Sequence, residues 1–111
     1  MDVAVMTGPA HTLVRVEGEL DLATAPELAS ALEALDSGAG PVIVDLTDVG
    51  FVDSSGLSTL LQARQRLAGA SGAPELRLVV TRPSILRVLD VTGLADVFAV
   101  FDSVDRAASP A

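Results

Sequence analysis

The chain contains no cysteine, no lysine, no tryptophan and no tyrosine, and only one histidine. Without cysteine it can form neither a disulfide nor a thiolate metal site, and its fold is indifferent to the redox compartment. Without lysine it cannot build a Gly-Lys-Ser/Thr phosphate loop, which excludes a P-loop nucleotidase. The single histidine, His11, follows the turn signal Gly8-Pro9, so a Ser-His-Asp triad would have to reach it from a surface turn. Metal binding would rest on carboxylates alone. Asp45, Asp48 and Asp53 cluster in sequence, yet each also fits a structural place: the end of a strand, a turn and the residue before a helix. No cofactor and no metal is expected.

Positive charge is also scarce. Seven basic residues, all arginine, stand against 15 acidic ones, a net charge of −8. Nucleic acid and anionic membranes are normally met by clustered Lys and Arg, so both are disfavoured as partners. The mean hydropathy is high at +0.51, but Asp, Glu or Arg interrupts every apolar stretch before the roughly 18 residues of a membrane span. Residues 1–10 carry Asp2 and lack the basic-then-apolar order of a secretory signal, so a cytoplasmic protein is expected.

What is present is aliphatic. Half of the 111 residues are apolar, with only three Phe among the aromatics. This length suits one domain, 1–111, and a monomer is the default. In Thr12–Leu20, Val14 and Val16 alternate with charged Arg15, the period of a half-buried strand that Val3–Met6 can join across Gly8-Pro9. Thr24-Ala25-Pro26-Glu27 has the layout of a capping box, and Leu28, Ala31, Leu32 and Leu35 trace the buried stripe of a helix stopped at Gly38. Pro41–Leu46 is a β-branched run without alternation, as in a central strand covered on both sides. After a polar link, Leu57, Leu60, Leu61, Arg64, Leu67 and Ala68 mark a second helix that starts at the serines and closes near 69–72. Leu76–Thr81 reads as a strand, Pro83–Asp90 as a short helix ended by Thr92-Gly93, Val97–Phe101 as a last strand and Ser103–Ala108 as a final helical turn. Strands alternating with helices imply parallel crossovers and an α/β fold.

The segment Asp53-Ser54-Ser55-Gly56-Leu57 is the candidate site. Asp and Ser commonly cap helices, which would make it an ordinary junction. Two features argue for more. Glycine in or beside a first helical turn costs up to about 1 kcal/mol relative to alanine, so Gly56 suggests a close approach to the backbone. Paired serines exceed what capping needs: with Ser54 as the cap, Ser55 keeps a hydroxyl that faces solvent and can accept a phosphoryl group. An enzyme using Ser55 as nucleophile lacks a visible base beside it.

The run Val42–Leu57, with Asp45-Leu46-Thr47-Asp48 and Asp53-Ser54-Ser55-Gly56, closely resembles the signature of bacterial anti-sigma-factor antagonists, the STAS-domain proteins. Gly18-Glu19-Leu20-Asp21 resembles the family's acidic turn before its first helix, and Leu89–Leu94 the segment after its short third helix. The resemblance spans about residues 3–106, leaving a short flexible C-terminal tail. It implies a small mixed β-sheet of four to five strands with helices packed mainly on one face, and no catalytic machinery. It further implies that the unmodified protein binds an anti-sigma factor that is also a serine kinase, that phosphorylation of Ser55 ends this interaction, and that a PP2C-type phosphatase restores it. Asp21 falls near the same surface. Other STAS modules are accessory subunits of transporters or nucleotide- or lipid-sensing parts of stress-signalling complexes, and this remains the alternative.

Overall fold

The computed structural model describes residues 1–35, 40–67 and 76–108. The elements are β1 (Asp2–Thr7), β2 (Thr12–Leu20), α1 (Ala25–Glu33), β3 (Val42–Val52), α2 (Ser54–Leu67), β4 (Leu76–Val79), α3 (Pro83–Val91), a 3-10 turn (Leu94–Asp96), β5 (Ala99–Phe101) and α4 (Val104–Ala108). The strands form one sheet in the order β1-β2-β3-β4-β5. β1 runs antiparallel to β2, and the other pairs are parallel.

Each step from β2 to β5 moves one place in the same direction through a helix. Crossovers of one hand therefore deliver α1, α2 and α3 to the same face. On that face Val14, Val16, Val44 and Leu46 of the strands pack against Leu28 and Leu32 of α1, Leu60 and Leu67 of α2, and Ile85 and Leu89 of α3. α4 follows the last strand onto the opposite face, where Ala107 joins Ile43 and Val79. This second cluster explains why Val42–Leu46 shows no alternation: at Ile43 both faces of β3 are covered. The fold is the expected mixed α/β sheet with its helices mainly on one face.

β3 is longer than the sequence suggested. The polar stretch after Leu46 is no link between elements; the strand continues through Thr47 and Asp48 to Val52. Its register against β2 slips twice, from Arg15↔Asp45 to Glu17↔Asp48 and from Gly18↔Val49 to Glu19↔Phe51. These bulges absorb the polar residues and return Val49 and Val52 to the core, at the cost of a readable period. Asp45 therefore lies within a strand, and Asp48 occupies a strand position, not a turn.

Other boundaries shift less. Thr24 precedes α1 but makes no side-chain cap. Leu28 and Leu32 of the expected stripe are buried and Ala31 and Leu35 half-buried, whereas Gly38, Ala68 and residues 69–72 lie outside the described residues. β4 stops at Val79, and β5 starts only at Ala99, because Phe98 donates its N–H to the Leu94 carbonyl in the preceding turn. After α3, Gly93 adopts the left-handed φ of +77°. Among the described residues, no helix is long and apolar enough to cross a membrane.

Asp45 is a buried carboxylate on the side of β3 away from the main core. Its Oδ1 accepts hydrogen bonds from Thr47 Oγ1 at 2.6 Å and Thr47 N–H at 3.0 Å. Arg15 Nε approaches Oδ2 at 3.5 Å, with 46% of the arginine side chain exposed. The short-range bonds should therefore dominate. Asp45→Ala is expected to lower unfolding free energy by about 1–3 kcal/mol, and Arg15→Ala by less than about 1 kcal/mol. Urea unfolding checks the difference, and equal losses would contradict it.

Candidate functional site

β2 and β3 are adjacent and parallel, so their carboxyl ends lie side by side. β2 turns there into α1 and β3 into α2, which brings Leu20–Thr24 against Asp53–Leu57. Asp53 joins the two. Its N–H donates to the Leu20 carbonyl at 3.1 Å. Its Oδ1 accepts from the Gly56 N–H at 3.1 Å, and its Oδ2 from the Leu22 N–H at 3.2 Å.

Asp53 is thus the cap of α2, and Ser54 is not. A carboxylate at the residue before the helix reaches the third N–H of the first turn. Ser54 occupies the first helical position and is exposed; Ser55 follows, half-buried. Neither hydroxyl has a hydrogen-bond partner among the described residues. Both serines line a shallow groove between α1 and α2 with Leu22, Pro26, Ala29 and Ser58. Ser55 therefore presents its hydroxyl from a groove wall, and the more open serine is Ser54.

Asp21 organises the neighbouring turn. Its Oδ1 accepts from the Ala23 and Thr24 N–H groups at 3.0 and 3.1 Å. The Thr24 hydroxyl is directed into the same turn, donating to the Glu19 carbonyl at 2.7 Å and accepting from the Asp21 N–H at 2.9 Å. This occupation is why the capping box with Glu27 does not form. Leu22, between these anchors, is 75% exposed. Its only trace in the sequence is an apolar residue set in a polar turn.

Gly56 does mark a close approach, but the approaching group belongs to the chain itself. A Cβ at Gly56 would stand 2.6 Å from Leu20 Cγ and 2.9 Å from the Leu20 carbonyl oxygen. Leu57 is buried in the main core, so it fixes the site from beneath and offers no contact surface.

The single histidine stands at the opposite end of β2 from the serine junction. His11 precedes β2, whereas Leu20 at its far end touches the Gly56 position; nine strand residues at about 3.3 Å each separate the two. Among the described residues, no group of three or more His, Cys, Asp or Glu could hold a metal ion.

Alanine at an exposed helical glycine would add up to about 1 kcal/mol of stability. Gly56→Ala should instead cost about 1–3 kcal/mol by overpacking against Leu20. Thermal unfolding gives the sign directly, and a raised melting temperature would refute the contact. Asp53→Ala should cost about 1 kcal/mol as a lost cap, with faster amide exchange at Leu22 and Gly56.

The family model for the STAS domain matches residues 2–107. An anti-sigma-B factor antagonist of Listeria monocytogenes is 34% identical over 91 residues, covering 81% of this chain and 78% of the relative. The crystal structure of an anti-sigma factor antagonist from Mycobacterium paratuberculosis matches with a TM-score of 0.86 at 30% identity, covering 96% of this chain and 89% of that one. The Bacillus cell fate determinant SpoIIAA in its phosphorylated form shares the fold, with a TM-score of 0.67 at 22% identity and 96% of each chain covered. With strand order, helix placement and the Asp-Ser-Ser-Gly junction all in place, the chain belongs to the STAS domain family.

Proposed function

We propose that this chain is an anti-sigma factor antagonist controlled at Ser55. Unmodified, it binds an anti-sigma factor that is also a serine kinase, and the sigma factor is released. That kinase phosphorylates Ser55 and the complex ends; a PP2C-type phosphatase removes the phosphate and restores binding. Support comes from relatives of about one-third identity that are anti-sigma-B factor antagonists and from the phosphorylated form known for a protein of the same fold.

The observation that carries the reading is the state of Ser55. It sits in the first turn of α2, relieved of capping by Asp53; its carbonyl accepts from the Thr59 hydroxyl at 3.1 Å, while its own hydroxyl has no hydrogen-bond partner among the described residues and a groove before it. In the transfer, a base of the kinase takes the hydroxyl proton, Oγ bonds to the γ-phosphorus of ATP, and the bond from that phosphorus to the leaving ADP oxygen breaks. Asp21, Asp53, Ser54 and Gly56 shape the surface the partner meets, and Leu57 holds it from below.

The charge effect separates folding from docking. Phosphate on Ser55 carries about −1.5 to −2 charges. It meets the positive end of the helix dipole, worth about 0.3–1 kcal/mol, which offsets part of its repulsion by Asp53. The fold tolerates the group, while a partner docked over the groove meets a new dianion.

With the kinase and ATP, phosphate should map by mass spectrometry to Ser55, and Ser55→Ala should stay unmodified while still binding. Ser55→Asp should weaken kinase binding at least about tenfold, near 1.4 kcal/mol, with an almost unchanged melting temperature. Phosphate on Ser54 alone, or a Ser55→Asp variant that binds as well as the unmodified chain, would end the proposal.

A further inference from the structure

Leu22 is the most exposed leucine among the described residues, at 75%. One exposed apolar side chain needs no explanation by itself. Its backbone sets it apart. A side chain on a loose loop loses much of its contact energy to ordering when a partner docks, and this one is already ordered. The Leu22 N–H donates to Asp53 Oδ2 at 3.2 Å, and the next two N–H groups, of Ala23 and Thr24, donate to Asp21 Oδ1 at 3.0 and 3.1 Å. The turn thus presents an apolar side chain from a fixed base.

Its surroundings are equally distinctive. Leu22, Pro26 and Ala29 line the α1 side of the groove, and Ser54, Ser55 and Ser58 the α2 side. Among the described residues no charged side chain lines it, although 20% of the chain is charged and the net charge is −8. Glu27, the acid in the first turn of α1, stays outside the groove. Depletion of charge around an apolar anchor is the mark of the core of a protein interface.

The acceptor serine selects the occupant. Ser55 lines this same groove, so a protein that transfers phosphate to its Oγ has to cover the groove and meets Leu22 in doing so. We infer that Leu22 is the anchor of the kinase that modifies Ser55, seated in an apolar pocket of that partner. The inference rests on the phosphorylation proposed above and adds to it the residue that sets affinity. Leu22 carries neither acid nor base, so it holds the kinase equally in the ground state and the transition state. A partner face that fits a leucine is dry. A phosphate on Ser55 beneath it would lie without water and, among the described residues, without a basic side chain lining the groove to pair with it. Affinity and its loss on phosphorylation thus arise on one uncharged surface.

Steady-state phosphorylation of the full chain by the purified kinase and ATP, with the site mapped by mass spectrometry, tests this. Leu22→Ala should raise KM at least about tenfold, as truncation of an interface anchor does, with kcat kept within about twofold, the pattern of lost uniform binding. Leu22→Met, close in volume, should return KM to within about threefold of the unmodified chain. Val91→Ala, at a residue of α3 that is 79% exposed and outside the groove, should leave KM unchanged. All three variants should melt within about 3 °C of the unmodified chain, as exposed substitutions do. Phosphorylation of Ser55 with KM unmoved by Leu22→Ala overturns this inference and leaves the proposed function standing. A fall in kcat in place of the rise in KM, an equal rise for Val91→Ala, or no recovery with Leu22→Met also overturns it. Phosphate absent from Ser55 in the unmodified chain overturns both.

Discussion

The Asp53 carboxylate is the constraint on which the site depends. One oxygen starts α2 and the other holds the turn between β2 and α1, so a single side chain sets the distance between two loops that are remote in sequence. Both loops emerge from neighbouring parallel strands, and the backbone bond from Asp53 to Leu20 extends that pairing one residue past β3. The helices then inherit their positions from the sheet. A charged acceptor suits this task, since hydrogen bonds to ionised groups are roughly twice as strong as neutral ones.

Packing beneath the loops repeats the same constraint in apolar form. Leu20 ends β2 inside the core and fills the space a side chain at residue 56 would need. Leu57 and Leu60 follow on the buried side of α2, while Ser54 and Ser58 face outward. The helix period thus divides the first turn into an anchored side and a presented side. Asp21 and Thr24 consume each other's polar groups in the adjoining turn, which leaves Leu22 held firmly and uncovered.

Much of this was legible in the sequence, for reasons that differ by element. α1 and α2 announced themselves through leucines at intervals of three and four, and β2 through its alternation around Arg15. The length of β3 was hidden because two bulges broke the period where polar residues entered the strand. The cap of α2 is ambiguous in the sequence because Asp53 and Ser54 are about equally good caps, and only the geometry of the incoming strand chooses Asp53 over Ser54. Gly56 signals a close approach in the sequence, yet that the approaching group is Leu20 of the same chain depends on tertiary contact, which no local pattern carries. The exposure of Leu22 is illegible in the sequence because a single exposed apolar residue has no periodic signature.

The contact between Gly56 and Leu20 has a mechanical consequence. Since the first turn of α2 is seated on the last residue of β2, tilting it inward would press on a residue of the hydrophobic core. A charge added there would change the electrostatic potential of the exposed side of the turn while the packing beneath it stays the same.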